Sequence, residues 1–237
     1  MIFCGWPAHA ADARSLPGGT WASIPKLPDF QGVWELAFGR GAGGRGPGPE
    51  AIVFTPKYEA IKKAYDAAPA QDNPASNCVP PGMPEIMTQP YPIEFLLTPG
   101  MVTIVIEAYS QVRHIYTDGR KHPDDPDLTY NGHSIGRWEG DTLVVDSVGF
   151  TPDTPLAGHM GTRHSDKMHI VERMRLRDPN TLEISTTVND PEALAKPFTR
   201  VASFARHRDW TIAEYVCQQN NRNFVDANGK AGINLKH

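Results

Sequence analysis

From Pro92 onward, hydrophobic and polar residues alternate along short segments, which is the pattern of half-buried β-strands. The segment 29–38 alternates in the same way and predicts the first strand. Turn sequences such as Pro99-Gly100, Asp118-Gly119 and Glu139-Gly140-Asp141 separate the later segments. We predict further strands at 93–98, 101–109, 112–118, 133–139, 142–150, 169–177, 182–189, 199–206 and 211–217. About ten antiparallel strands therefore follow one another along the chain.

One segment has a helical pattern instead. Residues 55–68 begin with a capping Thr55 and Pro56, and the apolar residues Tyr58, Ile61 and Tyr65 recur at helical spacing. A meander of strands closes most economically into an up-and-down barrel, which leaves no strand edge exposed. We therefore predict a mainly β fold, an antiparallel up-and-down lipocalin-like barrel with one short helix and long loops. The alternative is a twisted sheet folded over the helix, as in a cone-shaped α+β fold.

Proline and glycine mark the domain organisation. The chain contains 22 Pro and 21 Gly, concentrated in the first 28 residues, in the loops 39–49 and 69–92, and at the turns. Neither a repeat nor a linker divides the chain after residue 28. We predict an N-terminal signal-peptide remnant and flexible tail at 1–28, a single barrel domain at 29–222 and a C-terminal tail at 223–237.

The N-terminus and the cysteines bear on the compartment. An apolar stretch leading into Ala-x-Ala at 8–10 and 11–13 looks like the end of a secretory signal, although an Ala-rich start of a cytosolic protein is the alternative. We expect a periplasmic or secreted protein. Cys78 and Cys217 would then form a disulfide, whereas in a reducing compartment they would be free, half-buried thiols.

Composition excludes some classes of function. The 237 residues are 40% hydrophobic and 21% charged, with a net charge of −4. No apolar run approaches the roughly 18 to 20 residues that span a bilayer, so no membrane span is expected. Without a run of Lys or Arg, the chain offers little to a nucleic-acid phosphate backbone. A small molecule or another protein is the expected partner, and the oligomeric state is left open.

Several phrases of the sequence support a resemblance. Gly32-Val33-Trp34 resembles the Gly-x-Trp signature of lipocalin-like barrels, in which the Trp closes the base of the barrel. Residues 29–222 also resemble a family of exported bacterial proteins of unassigned function, which implies export and brings no activity with it. The phrases are DFQGVW at 29–34, CVPPGMP at 78–84, YTDGR at 116–120, NGHSIGRWEGDTLVVD at 131–146, and His164 followed by HIVER at 169–173.

Titratable residues cluster in the middle of the chain. Six of the nine histidines lie between His114 and His169. On the strand after His169, Glu172 interrupts a mostly apolar face and should point into the barrel. There a carboxylate needs a cationic partner or else holds its proton to unusually high pH, so Glu172 is a candidate acid or base with His133 or His164 as its complement. The competing interpretation is a structural Glu172–Arg137 ion pair.

The remaining candidate residues complete this site hypothesis. Tyr116 and Arg137 would bind a developing anion, and Asp118 or Asp146 would orient a histidine. A metal site formed by His133, His164 and His169 is the alternative, although their spacing matches no metal motif. Aromatic and thioether side chains could line a pocket for a hydrophobic or aromatic ligand. The substrate-binding candidates are Trp138, Tyr91, Met83, Met87, Tyr130 and Asp118.

Three functions are compatible with these residues. The first is an exported enzyme that performs acid–base chemistry of the lyase, isomerase or cyclase type, without a cofactor, on a small hydrophobic or phenolic compound. The second is a non-catalytic periplasmic ligand-binding protein with the same pocket. The third is a metal-dependent enzyme with histidine ligands.

Overall fold

The computed structural model describes residues 12–37, 50–67, 78–156, 161–217, 223–225 and 231–233. The remaining residues include the start of the predicted signal remnant, the glycine-rich loop 39–49, part of the 69–92 loop, and His159. The predictions made for those segments therefore lie outside the described residues.

Nine strands form a closed barrel and follow one another around it in sequence order. This confirms the mainly β, lipocalin-like barrel. Closure is made by the first and last strands, where Trp34 pairs with Arg206. The strands are β1 (Gly32–Leu36), β2 (Ile93–Thr98), β3 (Met101–Ile106), β4 (Gln111–Tyr116), β5 (His133–Glu139), β6 (Thr142–Val148), β7 (His169–Asp178), β8 (Thr181–Asn189) and β9 (Phe198–His207).

One pairing departs from the prediction of antiparallel neighbours. β4 and β5 are parallel, and only Ile115–Ser134 and Tyr116–Ile135 are paired. A parallel partner must start at the same end of the barrel, so the chain needs a long connection to return there. Residues 117–132 provide it. Alternation of hydrophobic residues indicates a strand but not the direction of its neighbour, and the sequence pattern therefore missed this pair.

The predicted tenth strand at 211–217 is wrong. β9 already pairs with β1, so the barrel offers no further edge to this segment. Residues 211–217 form no strand and lie beside residues 107–110, where Ser110 Oγ donates to the Tyr215 carbonyl (3.1 Å) and Ala213 N donates to Glu107 Oε2 (2.9 Å). Two short strands, β10 (Asn223–Val225) and β11 (Ala231–Ile233), pair with each other within the predicted C-terminal tail.

The predicted helix is confirmed as α1 (Pro56–Ala67). Its residue Tyr58 is buried among the core side chains. Backbone hydrogen bonds fix its start, since Thr55 N donates to the Ala193 carbonyl (2.9 Å) and Glu59 N to the Thr55 carbonyl (2.8 Å). None of the described helices is long and apolar enough to cross a membrane.

Buried hydrophobic side chains from every barrel strand except β5 fill the interior, and the partly buried Trp138 of β5 packs against them. Trp34 of the Gly-x-Trp sequence is fully buried, and its Nε1 donates to the Phe30 carbonyl (2.9 Å). The Arg206 guanidinium lies over the Trp34 ring, 4.3 Å from its centroid, and so covers the core where β1 meets β9. Within the predicted N-terminal tail, Ile24 is buried in this same core.

A disulfide joins Cys78 to Cys217, with 5.7 Å between their Cα atoms, and this confirms the predicted pair. It lies at a small cleft of about 340 Å³ that is also lined by Tyr109 and Tyr215. Tyr215 contacts the rings of Tyr109 and Tyr91. Burial is the main effect that raises the pKa of Tyr215, and with the contribution of these two neighbours the pKa reaches about 12.

Candidate functional site

The parallel seam between β4 and β5 opens into a cleft. Apart from the two paired positions, β4 and β5 are not paired with each other. Residues of the 117–132 connection line the space beside them. The resulting space has a volume of about 470 Å³, and we call it the seam cleft. Its lining residues are Gln111, Val112, Arg113, His114, Tyr116, Pro123, Pro126, Asp127, Thr129, Tyr130, Asn131, Gly132, His133 and Ser134.

A hydrogen-bonded histidine network begins at the wall of the seam cleft. His133 is the first residue of β5, and its Nδ1 lies 2.8 Å from Nδ1 of His122. Nε2 of His122 lies 3.0 Å from Oδ1 of Asp146 on β6. The first residue of β7, His169, contacts the same Oδ1 through Nε2 at 2.8 Å. Three barrel strands and the 117–132 connection therefore supply the network.

The carboxylate of Asp146 determines the arrangement of protons in this network. Burial alone raises the pKa of Asp146, but hydrogen bonds from His122 and His169 outweigh it, and the pKa lies well below its ordinary value. An ionised carboxylate only accepts, so both histidines donate from Nε2. One of the two Nδ1 atoms at the 2.8 Å contact must accept, and with His122 as the acceptor His133 donates from Nδ1–H. This leaves the lone pair of His133 on Nε2, which bonds no described residue.

His133 is held in its neutral form by its surroundings. Burial is the main effect that lowers the pKa of His133, and the neighbouring His122 and Arg120 lower it further. The Tyr116 ring stacks on the imidazole, with centroids 5.5 Å apart and planes 27° apart. An imidazole that is neutral, oriented and exposed to a cleft through Nε2 can act as a general base.

The Tyr116 ring also contacts a surface ion pair. The Arg120 guanidinium lies 3.8 Å from the Tyr116 centroid and forms two-pronged hydrogen bonds with Asp118. Hydrogen bonds from Arg120 are the largest effect that lowers the pKa of Asp118. Asp118, predicted to bind substrate, is thus engaged in holding Arg120 over Tyr116.

Glu172 lies inside the barrel, as its apolar strand face predicts, and it is fully buried. Its Oε2 accepts a short hydrogen bond from Nη2 of Arg113, which is also fully buried. The predicted ion pair between Glu172 and Arg137 is wrong. Inward-facing residues of β5 include Ser134 and Gly136, so Arg137 faces outward, where it pairs with Glu139 at 2.6 Å.

Two hydroxyl groups complete the buried ion pair. The Arg113 guanidinium donates to Ser134 Oγ through Nε (3.3 Å) and to Ser147 Oγ through Nη2 (3.0 Å), and the two hydroxyls are 2.8 Å apart. Because Arg113 and Ser134 line the seam cleft, this polar cluster forms part of the cleft wall. Glu172 is not among the lining residues and reaches the cleft through Arg113.

His164 does not join the other histidines. It is buried between two neighbours, with Nε2 2.8 Å from Thr154 Oγ1 and Nδ1 2.9 Å from the Ser165 carbonyl. A carbonyl only accepts, so Nδ1 carries the proton and Nε2 accepts from the threonine. Burial is the main effect that lowers the pKa of His164, which keeps it neutral. Both nitrogens are therefore used in fixing this loop, and neither is free for a reaction.

Only some of the predicted substrate-binding residues reach the seam cleft. Of these six, Tyr130 lines it, beside Tyr116, the residue predicted to bind a developing anion. Met83 and Met87 are buried in the barrel core, and Trp138 packs against the core at Phe30. Tyr91 contacts Tyr215 near the disulfide. The predicted substrate-binding residues are therefore divided between the seam cleft, the barrel core and the region of the disulfide.

The predicted histidine metal site does not assemble. Among the residues that the structure describes, no group of three or more His, Cys, Asp or Glu side chains is placed to hold a metal ion. His133 and His169 belong to the Asp146 network, whereas the bonds of His164 to described residues are with Thr154 and the Ser165 carbonyl.

The sequence pattern missed three residues of the site. Arg113 alternates with Ile115 on the inward face of β4, and a lone charge on such a face is the same signal that identifies Glu172. His122 and Asn131 lie in the 117–132 connection, where no periodicity exists to show which way a side chain points. No protein-family model matches the chain, and no curated protein is significantly similar to it.

Proposed function

We propose that the protein is an exported enzyme that performs acid–base chemistry on a small hydrophobic or phenolic molecule bound in the seam cleft, with His133 as the general base. The observation that carries the proposal is the chain of contacts from Asp146 through His122 to His133, which leaves Nε2 of His133 free at the cleft. The disulfide supports export, because such bonds persist in oxidising compartments.

The hydrogen-bonded network supports a role for His133 as a base, because it can take up the positive charge that forms when His133 gains a proton. When Nε2 takes a proton from the substrate, His133 becomes an imidazolium. Its Nδ1–H can pass to Nδ1 of His122, and the charge then lies next to the Asp146 carboxylate. A base placed in this way contributes about 10²- to 10⁴-fold to a rate. Nη1 of Arg113, which lines the cleft, can donate a hydrogen bond to an oxygen of the bound molecule.

The remainder of the lining favours an aromatic or apolar ligand. Tyr116, Tyr130, Val112 and two prolines offer apolar surface, and Val112 and Tyr130 are exposed at the rim. A non-catalytic binding protein is the second candidate. It is favoured by the separation of Glu172 and His164 from the lining, which leaves His133 as the one predicted acid–base residue at the cleft.

Solvent-deuterium exchange separates the two candidates. The probe is 4-hydroxyphenylacetone, which has an aromatic hydroxyl and an exchangeable CH₂ beside its carbonyl. We expect the protein to bind it and to accelerate deuterium incorporation, and we expect His133→Gln to reduce that acceleration by about 10²-fold or more with little change in affinity.

The matched control is His114→Gln, because His114 lines the same cleft but bonds Thr103 rather than the Asp146 network. This variant should keep the exchange rate within a few-fold. Binding without acceleration in the wild type would favour the carrier. An exchange rate unchanged in His133→Gln would remove His133 as the base.

A further inference from the structure

Two buried polar atoms on residues of the seam cleft have no hydrogen-bond partner among the described residues. They are Nη1 of Arg113 and Oδ1 of Asn131. Buried polar groups in folded proteins are almost always paired, because leaving one unpaired is costly. Both residues line the same cleft, Arg113 from β4 and Asn131 from the loop before β5, which makes a group bound in the cleft the natural partner for both atoms.

The orientation of Asn131 follows from its neighbours. Nε2 of Gln111 donates to the Tyr109 carbonyl (3.2 Å), which fixes Oε1 of Gln111 as the atom facing Asn131. That oxygen accepts from Nδ2 of Asn131 at 3.1 Å, and the Val112 carbonyl accepts from the same nitrogen at 3.4 Å. Carbonyl oxygens only accept, so the amide cannot be flipped. The unpaired atom of Asn131 is therefore an acceptor.

The unpaired atom of Arg113 is a donor next to a neutralised charge. Nε and Nη2 are engaged by Ser134, Ser147 and Glu172, and Nη1 alone is left. Arg113 and Glu172 are 1% and 0% exposed, so the guanidinium charge is compensated inside the protein. Oε1 of Glu172 is also unpaired. The polar wall of the cleft thus offers one donor and has acceptors beside it, with no net positive charge.

We infer that the ligand of the seam cleft carries a hydroxyl group that accepts from Nη1 of Arg113 and donates to Oδ1 of Asn131. A hydroxyl both accepts and donates, and it matches this pair of atoms. A carboxylate would gain Arg113 but would face Asn131 Oδ1 and Glu172 with no hydrogen to give. An ether could accept but not donate. Since the inference rests on the proposed ligand site in the seam cleft, the test has to separate the two ideas.

Three probes of matched shape make this separation. They are 4-propylphenol, 4-propylanisole and 4-propylbenzoate, titrated into the full chain and followed by amide NMR. We expect shifts at residues 111–114 and 129–134 and an affinity for the phenol about tenfold above that for either analogue. Equal affinities would overturn the hydroxyl inference while leaving the cleft as a binding site. No binding by any probe would overturn both.

Two sets of variants test the two contacts. Asn131→Leu should abolish the preference for the phenol over the anisole. Asn131→Gln keeps both an oxygen acceptor and an amide donor and should retain more of that preference than Asn131→Leu, whereas a purely structural role for Asn131 would affect both variants alike. Arg113→Met combined with Glu172→Met removes the donor together with its counter-charge, so the fold is not left with an unpaired buried charge. This double variant should lower the affinity for the phenol to that for the anisole. If it and Asn131→Leu both keep the preference for the phenol over the anisole, the inference is refuted.

Discussion

Asp146 shows how one residue can set the protonation of several others. One oxygen of its carboxylate accepts from His122 at 3.0 Å and from His169 at 2.8 Å. Two donors converging on one atom stabilise the ionised form more than the partial burial of the side chain destabilises it, which is why the pKa of Asp146 is lowered. The tautomer of His122, and through it that of His133, follows from this single charge.

The rate of proton transfer should depend on pH through His133. Burial, His122 and Arg120 lower the pKa of His133 from its ordinary value of 6.5, so the neutral base is present at pH 7. The exchange rate of 4-hydroxyphenylacetone should be constant near pH 7 and decrease as the pH falls through a value below 6.5, where the imidazole gains its proton. Exchange kinetics across the acidic and neutral range measure this directly.

His114→Gln provides the control for that profile, since it removes a cleft histidine outside the network and should leave the acid limb in place. An acid limb centred above neutral pH would contradict the assignment, because it would require a base whose proton affinity is raised rather than lowered.

Single residues also show where sequence reasoning succeeds. The apolar strand face predicts Glu172 inside the barrel, and Asp146 is one of two residues predicted to orient a histidine; the structure places both accordingly. Their partners cannot be found in the same way. Whether Glu172 meets Arg113 or Arg137 depends on the order of strands across the barrel, and alternation along a strand carries no such information.

At the scale of elements, the seam depends on a close approach between β4 and β5. Gly136 faces inward on β5, and a Cβ at this position would lie 2.7 Å from Ile115 Cγ2 and 3.2 Å from Thr117 Cγ2. Since the parallel pair is held by only two paired positions, the absence of a side chain here allows the strands to meet at all.

Gly136→Ala should therefore destabilise the protein by about 1–3 kcal/mol, the usual cost of overpacking. Urea denaturation measures the change, and amide NMR should show shifts along β4 at Ile115 and Thr117. Gly140→Ala is the comparison: Gly140 has a positive φ of 62° but nothing within 4 Å of its Cβ position, so it tests backbone strain without the contact. Its shifts should stay at the β5–β6 turn. Unchanged stability in Gly136→Ala would show that the seam can widen freely.

Elements are predicted more reliably than their pairing. α1 and the strands β2 and β5 lie where the pattern places them, because capping, turn sequences and alternation are local signals. The segment 211–217 has the same local signal as a strand. It forms none because β1 already occupies the edge of β9, a fact that belongs to the closed barrel and not to the segment.

At the scale of the whole molecule, the disulfide constrains most of the barrel. Its two cysteines are 139 residues apart in sequence, so the bridge removes much of the freedom of the unfolded chain. Chain-entropy reasoning gives a stabilisation of about 4–5 kcal/mol for a loop of this size.

The double variant Cys78→Ala with Cys217→Ala should lower the free energy of unfolding by up to about that amount, as measured by denaturant titration. Wild-type protein unfolded in the presence of a thiol reductant is the control, because it loses the same bond without a substitution. A difference below about 1 kcal/mol in both experiments would mean that the unfolded chain is already compact between the two cysteines.

The position of this bond along the chain has a mechanical consequence. β2 through β9 all lie between Cys78 and Cys217, whereas β1 lies before the bridge and completes the barrel between β2 and β9. When the chain is stretched from positions on either side of the bridge, force can pull β1 from the barrel wall but cannot extend the eight strands inside the covalent ring. With roughly 3.5 Å of extension per residue, about 480 Å of contour length stays hidden until the sulfurs separate.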